Sequence, residues 1–163
     1  MRRSKRIIAA LLILLTVMAL MTGCGIEDVT AGENEYKVKI DVRTTDKFKG
    51  LYWKYYVAGE EIAENYVIAA KADYINKKAM IVVTFVPEIL PEGTEISDIE
   101  IEFFVIPKDV KIDNTETDIA VITANIVPCN GKIRREGDYG QIYHMRMSGE
   151  LDVGYSILPE EKK

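Results

Sequence analysis

The chain has 163 residues, room for one ordinary domain of about 100–150 residues and a short extra segment. Its 26 acidic and 21 basic side chains give a net charge of −5, which opposes nucleic acid, because that binding is dominated by basic contacts to phosphate. Two cysteines and a single histidine leave little for a disulfide framework or for nucleophilic catalysis.

Met1-Arg2-Arg3-Ser4-Lys5-Arg6 carries four positive charges and no acid, and Ile7 to Met21 then runs apolar, broken only by Thr16. A basic start followed by a short apolar run is the pattern of a secretory signal. A permanent bilayer span takes about 20 apolar residues, so the leader is the favoured reading.

Leu20-Met21-Thr22-Gly23-Cys24 resembles the lipobox of bacterial lipoprotein precursors, with Met21 standing where that family prefers leucine. The resemblance covers the first 24 residues only. It implies cleavage before Cys24 and attachment of a diacylglyceryl group, with palmitate-type chains, to that cysteine. Each buried methylene contributes about 0.8 kcal/mol, so two acyl chains anchor stably where one is marginal. The expected location is therefore outside the cytoplasm, at the cell membrane or at the outer membrane of a two-membrane bacterium. Gly25 follows the cysteine, in place of the aspartate that the family associates with inner-membrane retention.

Removing residues 1–23 removes four basic and no acidic side chains, so the 140-residue remainder carries 17 basic against 26 acidic groups, a charge of −9. That balance also opposes docking on an anionic membrane by charge. Residues 24–34 read as a lipid-anchored tether, since Gly25–Asn34 is acidic and poor in bulky side chains. Ten extended residues reach about 35 Å, which keeps the domain near its membrane. Residues 35–163 form the expected single β domain. With Cys24 lipidated, Cys129 has no partner for a disulfide. A small residue in a turn is the favoured reading for it, with a reactive thiol or metal ligand as the alternatives.

From Tyr36 the dominant period is two. Tyr36, Val38, Ile40 and Val42 alternate with Lys37, Lys39 and Asp41, and Thr44–Gly50 reads as a polar turn. Leu51, Trp53, Tyr55 and Val57 then face one way, with Tyr52, Lys54 and Tyr56 on the other. Residues 60–78 admit two readings. Ile62, Tyr66, Ala70 and Tyr74 recur every four residues, as on a helix. Against this, the turn residues Asn76-Lys77 and the β-branched run after Met80 favour a hairpin with strands at Tyr66–Ile75 and Met80–Val86.

Further on, Ile99, Ile101, Phe103 and Val105 alternate with Glu100 and Glu102. Ile119–Val127 is apolar on both faces and reads as a central strand. Tyr143, Met145 and Met147 are expected to pair with Leu151, Val153, Tyr155 and Ile157 across a Ser148-Gly149 turn. Pro87, Pro107, Pro128 and Pro159 each end an apolar run, as suits strand ends and edges. The expected fold class is all-β: a two-sheet sandwich of seven or eight antiparallel strands, immunoglobulin-like or a related barrel.

Candidate chemistry is sparse. His144 and Ser148 share a strand face but lie about 13 Å apart, too far for base and nucleophile. His144, Met145, Met147 and Cys129 are soft copper-type donors, yet alternation puts both methionines opposite the histidine. The stretch Asp113–Asp118 offers oxygen ligands for calcium without the EF-hand order or its glycine, and reads first as a solvated loop. No catalytic residue, metal site or cofactor is therefore assigned.

The aromatic run is the most suggestive feature, and Tyr52, Lys54 and Tyr56 form the candidate binding surface, for a protein partner or sugar rings. Packing of that face under another element is the competing reading. The expectation is a non-enzymatic binding or accessory module, held at the membrane by its lipid and contacting an envelope protein or component. A carboxylate-based envelope hydrolase and a metal-handling lipoprotein are the alternatives.

Overall fold

The computed structural model describes residues 20–21, 30–69, 74–85, 90, 92–112, 119–134 and 137–160. Cys24, most of the leader and the candidate calcium loop 113–118 lie outside the described residues. Strand β1 (Leu20–Met21) pairs antiparallel with β5 (Met80–Phe85), and β5 pairs with β2 (Tyr36–Val42). β1 falls inside the segment assigned to the leader, so a chain cleaved before Cys24 ends this sheet at β5. On the other side of β2 come β9 (Ile142–Glu150) and β10 (Gly154–Pro159), giving the order β1-β5-β2-β9-β10.

The second sheet has the order β4-β3-β6-β7, built from β3 (Phe48–Val57), β4 (Glu60–Ile68), β6 (Ile99–Pro107) and β7 (Val127–Pro128). Strand β8 (Ile133–Arg134) also pairs with β6. β7 and β8 thus make one interrupted edge, and Pro128 sits on it, where a missing N–H is tolerated. The two sheets are not closed into a barrel. They form the all-β, sandwich-like fold expected.

Alternation places the core. Tyr36, Val38, Ile40 and Val42 on β2, with Met145, Met147, Tyr155 and Ile157, cover one side. Leu51, Trp53 and Tyr55 on β3, with Ile99, Ile101, Phe103 and Val105 on β6, cover the other. Trp53 and Phe103 pack with ring centroids 6.5 Å apart at 51°, and the Trp53 Nε1–H donates to the Tyr55 hydroxyl. Such an indole needs a partner when buried, and the next residue on the same strand face supplies it.

Several details depart from the sequence expectations. β2 and β9 run parallel, with Val38 opposite Tyr143 and Val42 opposite Met147, so the strands are not all antiparallel. Parallel neighbours need a long crossover, and the intervening chain builds the second sheet on the way. β3 begins at Phe48, inside the expected turn. The described parts of the expected 66–86 hairpin do not pair with each other, because β4 and β5 belong to different sheets; residues 70–73 and 86 lie outside the described residues.

β4 instead folds back on β3 across Ala58-Gly59, both with positive φ (52° and 83°), as a two-residue hairpin turn requires. The four-residue spacing of Ile62 and Tyr66 does not bring them together here: the bulge at Ile62 turns its side chain to the inter-sheet core, whereas Tyr66 packs on the outer face with Tyr52. The Asn76-Lys77 turn does occur, closed by the Ala79 N–H on the Asn76 carbonyl at 3.0 Å. The last hairpin exists too, but it turns at Leu151–Val153, pairing Tyr155 with Gly149 and Ile157 with Met147. A side chain at Gly149 could not be accommodated there: its Cβ would meet the Gly154 carbonyl at 2.1 Å.

Ile119–Val127 is not a central strand. Ile119–Thr123 is a short helix, α1, and only Val127 and Pro128 pair with β6. A five-residue helix has no stability of its own. It is held by Ile122, fully buried on the outer face of the second sheet against Tyr52 and Ile106, with Ile126 also packed there. Asn125 ends it, its side chain donating to the Val121 carbonyl at 3.0 Å.

Candidate functional site

The outer face of β3, β4 and β6 is divided into two halves. Near Gly50 the strands carry Tyr52, Phe104, Ile106, Tyr66 and Ile68, which α1 and the chain at Val110 and Ile112 cover as a second small core. Towards the Ala58-Gly59 turn the same face carries Lys54, Tyr56, Glu61, Glu64, Glu100 and Glu102, and no described helix crosses it.

The binding surface read from the aromatic run is therefore corrected at Tyr52. Its residue is 0% exposed, its ring lies 5.7 Å from that of Phe104, and it has no face to offer a partner. Only its hydroxyl reaches the polar half, where it donates to Glu64. Lys54 and Tyr56 remain at the surface, each half-buried and engaged. Lys54 Nζ pairs with Glu61 at 2.8 Å, and the Tyr56 hydroxyl donates to Glu102 at 2.8 Å. Lys132 Nζ stands 3.4 Å over the Tyr56 ring, a cation–π contact, while Arg134 approaches Glu100 at 4.0 Å. A register shift between Tyr55 and Tyr56 sets Tyr56 opposite Glu61 and Lys54 opposite Glu64, which brings lysine, phenol and carboxylates together.

Burial first, and then the hydrogen-bonded carboxylates, raise the phenol pKa values of Tyr52 and Tyr56 well above the usual range. Both phenols donate to carboxylates, Tyr52 to Glu64 and Tyr56 to Glu102. The patch can bind polar and charged groups, using Lys54, Lys132, Arg134 and the four glutamates, around one aromatic ring.

The other sequence candidates are dispersed. His144 is exposed, whereas Met145 and Met147 are buried in the core on the opposite face, as alternation required. The Ser148 hydroxyl shares a hydrogen bond with Ser156 at 3.1 Å, across the β9–β10 ladder. Cys129 packs against the core beyond β7, and burial pushes its thiol up to about 12. Among the described residues no group of three or more His, Cys, Asp or Glu could hold a metal ion. No described helix is long and apolar enough to cross a membrane.

Two clefts escaped the sequence reading, because each joins loops distant in sequence. One, of about 640 Å³, lies between Thr94–Ser97 and Gly137–Tyr139. The other, of about 510 Å³, is lined by Lys49, Tyr74 and residues 108–112. Compared with protein-family models, curated proteins and solved structures, the chain matches none.

Proposed function

We propose that the protein is an extracytoplasmic lipoprotein, anchored through Cys24, whose sandwich serves as a non-enzymatic binding or accessory module for an envelope protein. The uncovered polar half of the β3–β4–β6 face carries this reading. A helix and loop seal the apolar half of that face, whereas no described helix crosses the half with Tyr56, which stays partly exposed. It holds a single aromatic ring within a lattice of opposite charges, the chemistry of a polar protein contact.

The phenols of Tyr52 and Tyr56 are engaged as donors to Glu64 and Glu102, and the remaining charged groups of the patch supply recognition. The tether supports the same reading, since a reach of at most about 35 Å, shortened where the Glu35 N–H turns back onto the Gly32 carbonyl, confines the partner to the neighbourhood of the membrane.

The test is crosslinking of the anchored protein in its own cells, with Cys24→Ala and Tyr56→Ala/Lys54→Glu versions alongside. The expected result is one discrete membrane protein, recovered with the native form and lost with either variant. Recovery of the same partner regardless of the Tyr56/Lys54 change would remove this face from the proposal. Recovery of lipid and wall material alone would remove the accessory role.

A further inference from the structure

The two ends of the sandwich differ in charge. The chain enters at Tyr36, so the tether end holds Glu33 and Glu35, the Ala58-Gly59 turn, and the stretches around Glu95–Asp98 and Asp138. At the far end β2 finishes at Val42, β3 starts at Phe48 and β6 finishes at Pro107. There the Lys78 N–H bonds the Val42 carbonyl, and Phe48 and Ile75 bridge. In a chain that is acidic overall, the 510 Å³ groove at this far end is lined by three lysines, with Asp109 as the one carboxylate of its described lining.

The groove is formed by two local devices. The ladder between β3 and β6 pairs Phe48 with Pro107 and Gly50 with Ile106, so Lys49 is an extra residue at a bulge. Bulges re-aim side chains and recur beside binding sites. Lys49 is only 6% exposed, whereas lysine is among the residues least often buried, and its Nζ lies 5.6 Å from the centroid of the Tyr74 ring. The second device is the turn that follows β6. It closes with the Val110 N–H on the Pro107 carbonyl at 3.2 Å and brings exposed Lys108 and Lys111 to the same groove. Val110 and Ile112 pack inward on the Tyr52 cluster, which fixes this turn to the sheet.

We propose that this groove binds a small phosphate-bearing ligand carrying a ring that lies on Tyr74. The exposed ammoniums of Lys108 and Lys111 are compact point charges with three donors each and bind phosphate without demanding one orientation, while Lys49 is buried beneath them and adds its charge from below. Tyr74 is 43% exposed and offers the flat face. The volume is in the range of small-ligand sites, roughly 300–1,000 Å³.

The same phosphate chemistry is carried by soluble ligands and by lipid headgroups, and titration in solution against flotation with vesicles separates the two sources. The site stands independently of the anchored reading, because the binding itself is measured in solution.

The experiment is calorimetric titration of the full chain, in detergent micelles, with inorganic phosphate, a hexose phosphate and the unphosphorylated hexose. Flotation with phosphatidylglycerol vesicles runs in parallel. The expected result is saturable binding of the hexose phosphate, tighter than that of phosphate, with none of the bare hexose. Binding should weaken as salt rises, and at least tenfold in Lys108→Ala/Lys111→Ala, whose side chains are exposed and whose fold the Trp53 fluorescence verifies. A Tyr74→Ala change should remove the advantage of the hexose phosphate over phosphate. Absence of saturable binding in the millimolar range, equal affinity in the double lysine variant, or binding to vesicles alone would each overturn the site. None of these outcomes bears on whether a protein partner is crosslinked at Tyr56.

Discussion

Replacement of Tyr52 by alanine tests the division of the outer sheet face most directly. The ring is fully buried against Phe104, Ile106 and Ile122, and removing a buried aromatic side chain costs about 3–5 kcal/mol. The hydroxyl is separable: Tyr52→Phe keeps the ring and deletes only the donor to Glu64. Because Glu64 is half-buried and can turn to water, that change should cost about 1–2 kcal/mol. Tyr56→Ala, at a half-buried position, should cost about 1 kcal/mol. Domain stability is typically about 5–15 kcal/mol, so the Tyr52→Ala protein should be marginal but measurable. Urea unfolding followed by Trp53 fluorescence is the assay, since the chain's single tryptophan is 0% exposed and reports the main core. An unchanged dependence on urea would show that only stability had moved. A Tyr52→Ala cost below about 1 kcal/mol, or one no larger than that of Tyr56→Ala, would mean that α1 does not seal this face.

Two further outcomes follow from partly buried groups. The Cys129 thiol is held up to about 12, whereas an unfolded cysteine titrates near about 8.5, so the folded state keeps its proton longer. Stability is therefore fully present below the unfolded value and falls as pH rises from there towards the folded one. The raised phenols of Tyr52, Tyr56 and Tyr155 act in the same direction at higher pH. Alkaline unfolding midpoints should rise in Cys129→Ser relative to native at pH above about 9, once the neutral-pH difference is subtracted. Equal pH slopes would refute the assignment. Asp46 Oδ2 accepts the Leu151 N–H at 2.7 Å and the Tyr155 hydroxyl at 2.8 Å, tying the β2–β3 loop to the last hairpin. Asp46→Ala should cost about 1–3 kcal/mol. A double-mutant cycle with Tyr155→Phe should show coupling, and strict additivity would remove that tie.

The sequence by itself determined the strands whose two faces differ in polarity. In β2, in residues 99–103 of β6 and in residues 143–148 of β9 every second side chain is apolar and its neighbours are charged or polar, so only one face can leave water. The same alternation separated His144 from Met145 and Met147. The acidic balance was also legible, because it is a property of composition alone.

Alternation could not say which strands would neighbour one another, and so the parallel β2–β9 pair was not foreseen. Nor could it decide Ile119–Val127, where nearly every residue is apolar and the period carries no information. That segment became a helix because Ile122 had an outer apolar patch to cover, a patch created only when Gly50–Tyr52, Phe104–Ile106 and β4 came together. Tyr52 and Tyr56 have the same phase on the same strand, and only the distant α1 makes one core and the other surface. Lys49, Tyr74, Lys108 and Lys111 converge for the same reason. A bulge and two loop ends met at one end of the sandwich, a contact that exists only once both sheets have formed.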